Sequence, residues 1–207
     1  MNGHPILPEL ILLVPDLDLE VGLDALLKRH EHLGFREITY RIFRHPQRDP
    51  GVRSRCHDFL RAFSRGNSKA LVVLDYEGSG AQVPVVELEN DMEARMRQNG
   101  WGADRARAVA IDPEVEIWVW ARSPAVKGVL GWGRGDLFGW LEEKGYWPAN
   151  QPKPPDPKTA FRESLRQVGK KPSASVFRAA AEQIDPAGCQ DRAFVRLWSV
   201  LQAWFPT

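Results

Sequence analysis

Two short apolar runs that do not alternate constrain this chain more than any other feature: "LILLV" at residues 10–14 and "ALVVL" at 70–74. A strand with one wet face alternates apolar and polar side chains, whereas a strand that is apolar at every position must be covered on both faces. Five residues suit a buried strand and are too few for a buried helix. Between these runs the spacing becomes helical. Leu23, Leu26, Leu27 and His30 share one helical face, stopped by Gly34. Val52, Cys56, Phe59, Leu60 and Phe63 form a second stripe, stopped by Gly66 and Asn67. "REITYRIFRHP" alternates Ile38, Tyr40 and Ile42, the period of a strand with one wetter face. Leu88, Met92 and Met96 recur every four residues before Gly100, and "RARAVAI" at 105–111 reads as a fourth strand. The order β, α, β, α, β, α, β predicts an α/β fold, a small and mainly parallel sheet with helices on both sides.

Asp112 and Pro113 have the form of an N-cap and a first helical residue, which predicts a helix over "EVEIWVWAR". Val115, Ile117 and Val119 leave a continued strand as the alternative. After residue 122 the composition changes: Trp132, Trp140 and Trp147 sit among glycines, and "ANQPKPPDPKT" is a proline-rich connector. Three helical segments follow, near 157–168, 173–184 and 191–204, with Ser173 and Asp191 placed to lead the last two. This divides the chain into an α/β domain over 1–122 and a Gly/Trp-rich, helical C-terminal cover over 123–207 that packs on it.

The formal net charge of +1 over 207 residues removes any global basic field as an argument for nucleic acid. Cys56 and Cys189 are far apart and outside any CxxC, as expected of reduced thiols in a cytosolic protein. The apolar start of the chain is interrupted by Pro5, Pro8, Glu9 and Pro15 and has no basic leader, so it suits neither a signal peptide nor a membrane span. A cytoplasmic bacterial protein without a membrane partner is expected. The five histidines lack zinc-site spacing, and "GSG" and "GWGRG" lack the endings of phosphate loops.

Ligands of parallel α/β sheets bind beyond the carboxyl ends of the strands. Three acidic groups follow such ends here: Asp16, Asp18 and Glu20; Asp75 and Glu77; Asp112, Glu114 and Glu116. Converging carboxylates repel unless a cation neutralises them, and a hard ion such as Mg²⁺ takes oxygen ligands. Asp75 and Glu77 are then the candidate metal ligands, with Asp16, Glu20 and Glu116 as candidate catalytic carboxylates and Asp16 or Glu20 as the general base. Gly78 and Gly80 would allow close approach of another backbone or a phosphate. The alternative is structural: wet strand ends and helix N-termini favour acidic residues, and Asp112 suits an N-cap. Eight arginines lie between residues 36 and 65. Arg41, Arg44 and Arg53 are the candidate nucleic-acid contacts, against the plainer reading of a solvated helix face.

"ALVVLDYEGSG" resembles the second acidic motif of Toprim-like domains, a strand ending in an Asp-x-Asp pair. "PEVEIWVWA" at 113–121 and the tail from "DPKTAFRESLRQVGKKPSAS" to the segment between Cys189 and Phe194 are similar to a group of small bacterial Toprim-like proteins associated with restriction and phage-defence loci. The resemblance implies a parallel βα domain with a helical C-terminal cover and a role in methylation-linked anti-phage defence alongside other proteins of such a system. It implies that Asp75 and Glu77 bind metal and that a carboxylate after the first strand acts as acid or base. The chain departs from that pattern: Pro15-Asp16 stands where Glu-Gly is expected, and Glu77 where Asp is usual. Three functions follow as expectations: a degenerate, partner-dependent defence component; a Mg²⁺-dependent nuclease; a nucleic-acid-binding module.

Overall fold

The computed structural model describes residues 7–120, 123–133, 135–183, 185 and 189–207. Its strands are β1 (Leu10–Val14), β2 (Tyr40–Arg44), β3 (Lys69–Asp75) and β4 (Ala106–Ile111). They form one four-stranded, all-parallel sheet in the order β2-β1-β3-β4. Leu10 is in register with Tyr40 on one side and Lys69 on the other, and Ala70 with Ala106. The non-alternating runs are explained directly. Leu10, Leu12 and Val14 enter one hydrophobic layer, Ile11 and Leu13 the opposite one.

Helices α1 (Leu17–Leu27), α2 (His30–Leu33), α3 (Arg48–Leu60) and α4 (Val85–Gln98) connect the strands. Right-handed crossovers send β1-α1-β2 and β3-α4-β4 to opposite faces. Accordingly α1 lies on the Leu12 face, while α3 and α4 cover the Ile11 face through Val52, Cys56, Leu60, Leu88, Met92 and Met96. The first helical stripe runs through two helices, since α1 ends at Leu27 and α2 carries the chain to Gly34, whose φ of 68° makes the left-handed cap.

The helix expected from Pro113 is reduced to α5 (Glu116–Val119), and Asp112 does not cap it: Val115 occupies the cap position without a side-chain bond. All six residues from Val115 to Trp120 are buried, so this segment has no wet face on which an amphipathic helix would be selected. Its carbonyls are taken instead by the Lys153 ammonium, which donates to Ile117 and Trp120. Beyond it come α6 (Ala125–Leu130), α7 (Leu137–Glu143), α8 (Pro157–Gln167), α9 (Ala174–Gln183) and α10 (Arg192–Trp204). Asp156 caps α8 and Asp191 caps α10. Phe161, Phe177, Phe194 and Leu197 from these helices share the layer containing Leu23 and Leu26 of α1. No helix among the described residues is long and apolar enough to cross a membrane.

Candidate functional site: a carboxylate cluster at the sheet rim

The strand order reverses direction between β1 and β3, and the crevice at their carboxyl ends is the ligand position of such a sheet. Asp75 closes β3 at this point. Its backbone N–H donates to Asp49 Oδ1 at 2.8 Å, and its own Oδ1 accepts the Val115 N–H at 2.9 Å. The side chain is buried. Burial raises its pKa well above the ordinary carboxylate range, reinforced by the negative charges of Asp49, Glu116, Glu114 and Asp16. Asp49 is raised by burial and then by Asp16 and Glu114, against the Asp75 amide that holds it down. Glu116 is raised by burial and by Glu114, while Lys158 and Arg162 pull it back. Carboxylates that are distant in the chain therefore meet on one rim.

The predicted site residues divide. Asp16 joins the rim as the N-cap of α1, accepting the N–H groups of Asp18 and Leu19 on Oδ1. Glu116 joins it from α5. Glu20 is ion-paired with Arg44 at 2.9 Å, in a cleft of about 680 Å³ at the ends of β1 and β2 that Asp16 also lines. Glu77 turns to a separate cleft of about 650 Å³ at the ends of β3 and β4, with Asp112, Glu114, Lys158 and Arg162. Its backbone N–H donates to Pro113 O, so the chain continues past Asp75 alongside β4 and carries the second acid away from the first. Gly78 is approached by Asp49: a Cβ there would lie 3.1 Å from its Oδ2. Gly80, with φ of 67°, makes the turn that follows.

Asp49 is the rim residue that sequence reasoning missed. It follows β2 as Asp75 ends β3, and a search of the second strand's end for acids would have found it. Arg41 and Arg44 leave β2 on opposite faces of the sheet; Arg41 lies 4.8 Å from the Phe43 ring centroid. Arg53, on α3, donates to Gly80 O at 3.0 Å.

Oxygen donors of this kind suit a hard divalent cation by type, but their placement does not. Among the described residues no three His, Cys, Asp or Glu side chains are arranged to hold one ion. Asp16, Asp49 and Asp75 each spend an oxygen on backbone N–H groups, and Glu114 is paired with Lys158. The fold and the rim together define a three-layer α/β protein with a buried, mutually repelling carboxylate cluster at the ends of its strands. Comparisons with protein-family profiles, curated proteins and solved structures find no match to the chain.

Proposed function

We propose that this chain is a Toprim-like component of a bacterial anti-phage defence system, degenerate at its acidic motif and acting through partner proteins. The observation that supports this reading is the use made of Asp75. Its carboxyl group ties the β4–α5 loop to β3 through Val115, while Glu77 diverges into another cleft. An acidic pair whose first member is a buried structural tie and whose second faces elsewhere is poorly placed to act as a ligand pair. The test is twofold. The purified chain, given Mg²⁺ or Mn²⁺ and single- or double-stranded DNA and RNA, is expected to leave them intact, and co-expression with the products of neighbouring genes is expected to yield a stable complex. Cleavage that Asp75→Asn abolishes would refute the reading.

A second reading, a Mg²⁺-dependent nuclease, is favoured by one observation: Asp16, Asp49, Glu114 and Glu116 all bear on Asp75, a concentration of charge that a cation would relieve. Millimolar Mg²⁺ would then raise the melting temperature of the wild type and not of Asp75→Asn.

A further inference from the structure

The two edges of the sheet are finished differently. On β4, Arg105 O and Ile111 O face β3, so the even-numbered residues turn their backbone groups outward. Five of the six groups on Ala106, Ala108 and Ala110 are met by a side chain. The N–H groups of Ala108 and Ala110 donate to Glu93 and Glu89 of α4. Their carbonyls accept from Arg196 and Arg192 of α10, and the Ala106 carbonyl from Arg107. Two carboxylates and two guanidinium groups, each pair four residues apart on a helix, thus take the place of a fifth strand. That is a thorough form of edge protection.

On β2 nothing comparable is present among the described residues. Thr39 O accepts the Leu10 N–H and the His45 N–H donates to Val14 O, so in this parallel ladder the odd-numbered residues face β1. Tyr40, Ile42 and Arg44 therefore present their N–H and C=O groups outward, and none of these groups has a partner among the described residues. The α3 side of this edge is cationic. Arg41 lies over Phe43, Phe43 and His45 both pack on Phe59, and Arg55 stands one turn before Phe59 on the same face of α3. Neither Arg41 nor Arg55 has an ion pair among the described residues. On the α1 side the charges are already met, Arg44 by Glu20 and the Tyr40 hydroxyl by Asp24.

We propose that the outer edge of β2 is a docking site for an extended acidic segment of a partner protein, which adds to the sheet as a fifth strand with its carboxylates toward Arg41 and Arg55. Backbone pairing supplies affinity and alternate side chains supply selection in strand addition. Like charges set opposite one another disfavour a second copy of this chain as the occupant. The proposal is independent of whether the carboxylate rim is catalytic.

Ile42→Pro tests it cleanly, because the Ile42 N–H points outward and proline is tolerated at such a position on an edge strand. The probe is a labelled peptide of alternating glutamate and valine, about six residues long. The same peptide N-methylated at alternate residues, a lysine–valine counterpart and a single-stranded oligonucleotide serve as comparisons. The Glu/Val peptide is expected to bind the wild-type chain. Ile42→Pro, N-methylation and Arg41→Glu should each weaken that binding by about tenfold or more, and Arg41→Glu should bind the lysine peptide better than the wild type does. Failure of the acidic peptide to bind the wild type, or equal binding with and without N-methylation, overturns the proposal. So does oligonucleotide binding that depends on Arg41 but not on Ile42→Pro, which assigns the edge to nucleic acid. Self-association of the wild type that Ile42→Pro abolishes would also overturn it, by making a second copy the occupant.

Discussion

Asp49 Oδ1 accepts the backbone N–H of Asp75 at 2.8 Å, so the start of α3 is fastened to the end of β3 by a bond from amide to carboxylate. Burial disfavours charge on both side chains and raises both pKa values, while the bond from the Asp75 amide draws that of Asp49 back.

A neutral isostere at residue 75 is therefore expected to stabilise the chain. A carboxyl group whose folded pKa lies above its unfolded value binds more protons when folded. It contributes fully below the unfolded value, and stability is lost as pH rises toward the raised folded value. Asp75→Asn keeps the acceptor for Val115 and removes this loss. Thermal unfolding at pH 5 and pH 8 should show a flatter pH dependence than the wild type and a melting temperature higher by about 2–4 °C at pH 8. Asp75→Ala, which orphans the Val115 N–H, should melt lower than the wild type.

Lys158 moderates the same cluster. It is paired with Glu114 and draws the Glu116 pKa back toward the ordinary range. Lys158→Ala should let Glu116 rise further, so that stability declines more steeply above the usual carboxylate range. Because Lys158 is partly exposed, the loss at pH 8 is expected to be only about 1 kcal/mol. Urea unfolding across pH measures it, and an unchanged slope would contradict the arrangement.

Glu89 is the most deeply buried member of the seal on β4: its oxygens accept from Arg192 and from the Ala110 N–H. Glu89→Ala leaves the buried Ala110 amide without a partner and takes from Arg192 its carboxylate, though not its bond to the Ala110 carbonyl, and is expected to cost about 3 kcal/mol, the lower end for a broken buried pair because water reaches Arg192. Glu89→Ala combined with Arg192→Ala should cost less than the sum of the two singles. Urea unfolding of the three variants decides this.

Gly51 has no room for a side chain. A Cβ there would lie 2.2 Å from His45 Nδ1 and 2.5 Å from the Gln47 Cβ. Gly51→Ala must displace a buried imidazole packed on Phe59, at a cost of about 1–3 kcal/mol. The chemical shifts of His45 and Phe59 should move with it.

Apolar patterning determined the layered α/β class, the four parallel strands and the last three helices, because burial on one or both faces imposes periods of 3.6 and 2 that can be read locally. It also placed Asp16, Asp75 and Glu116 at strand ends, hence on a common rim. Only the tertiary structure decided what those acids do. Asp49 enters the cluster because α3 crosses back over the sheet, and Glu77 leaves it because the chain runs on beside β4. The short α5 ends where Lys153, over thirty residues away, takes its carbonyls. The sealed edge of β4 and the open edge of β2 are likewise products of packing. Whether a backbone group or a charge finds a partner depends on segments brought together through space, and no local period encodes that.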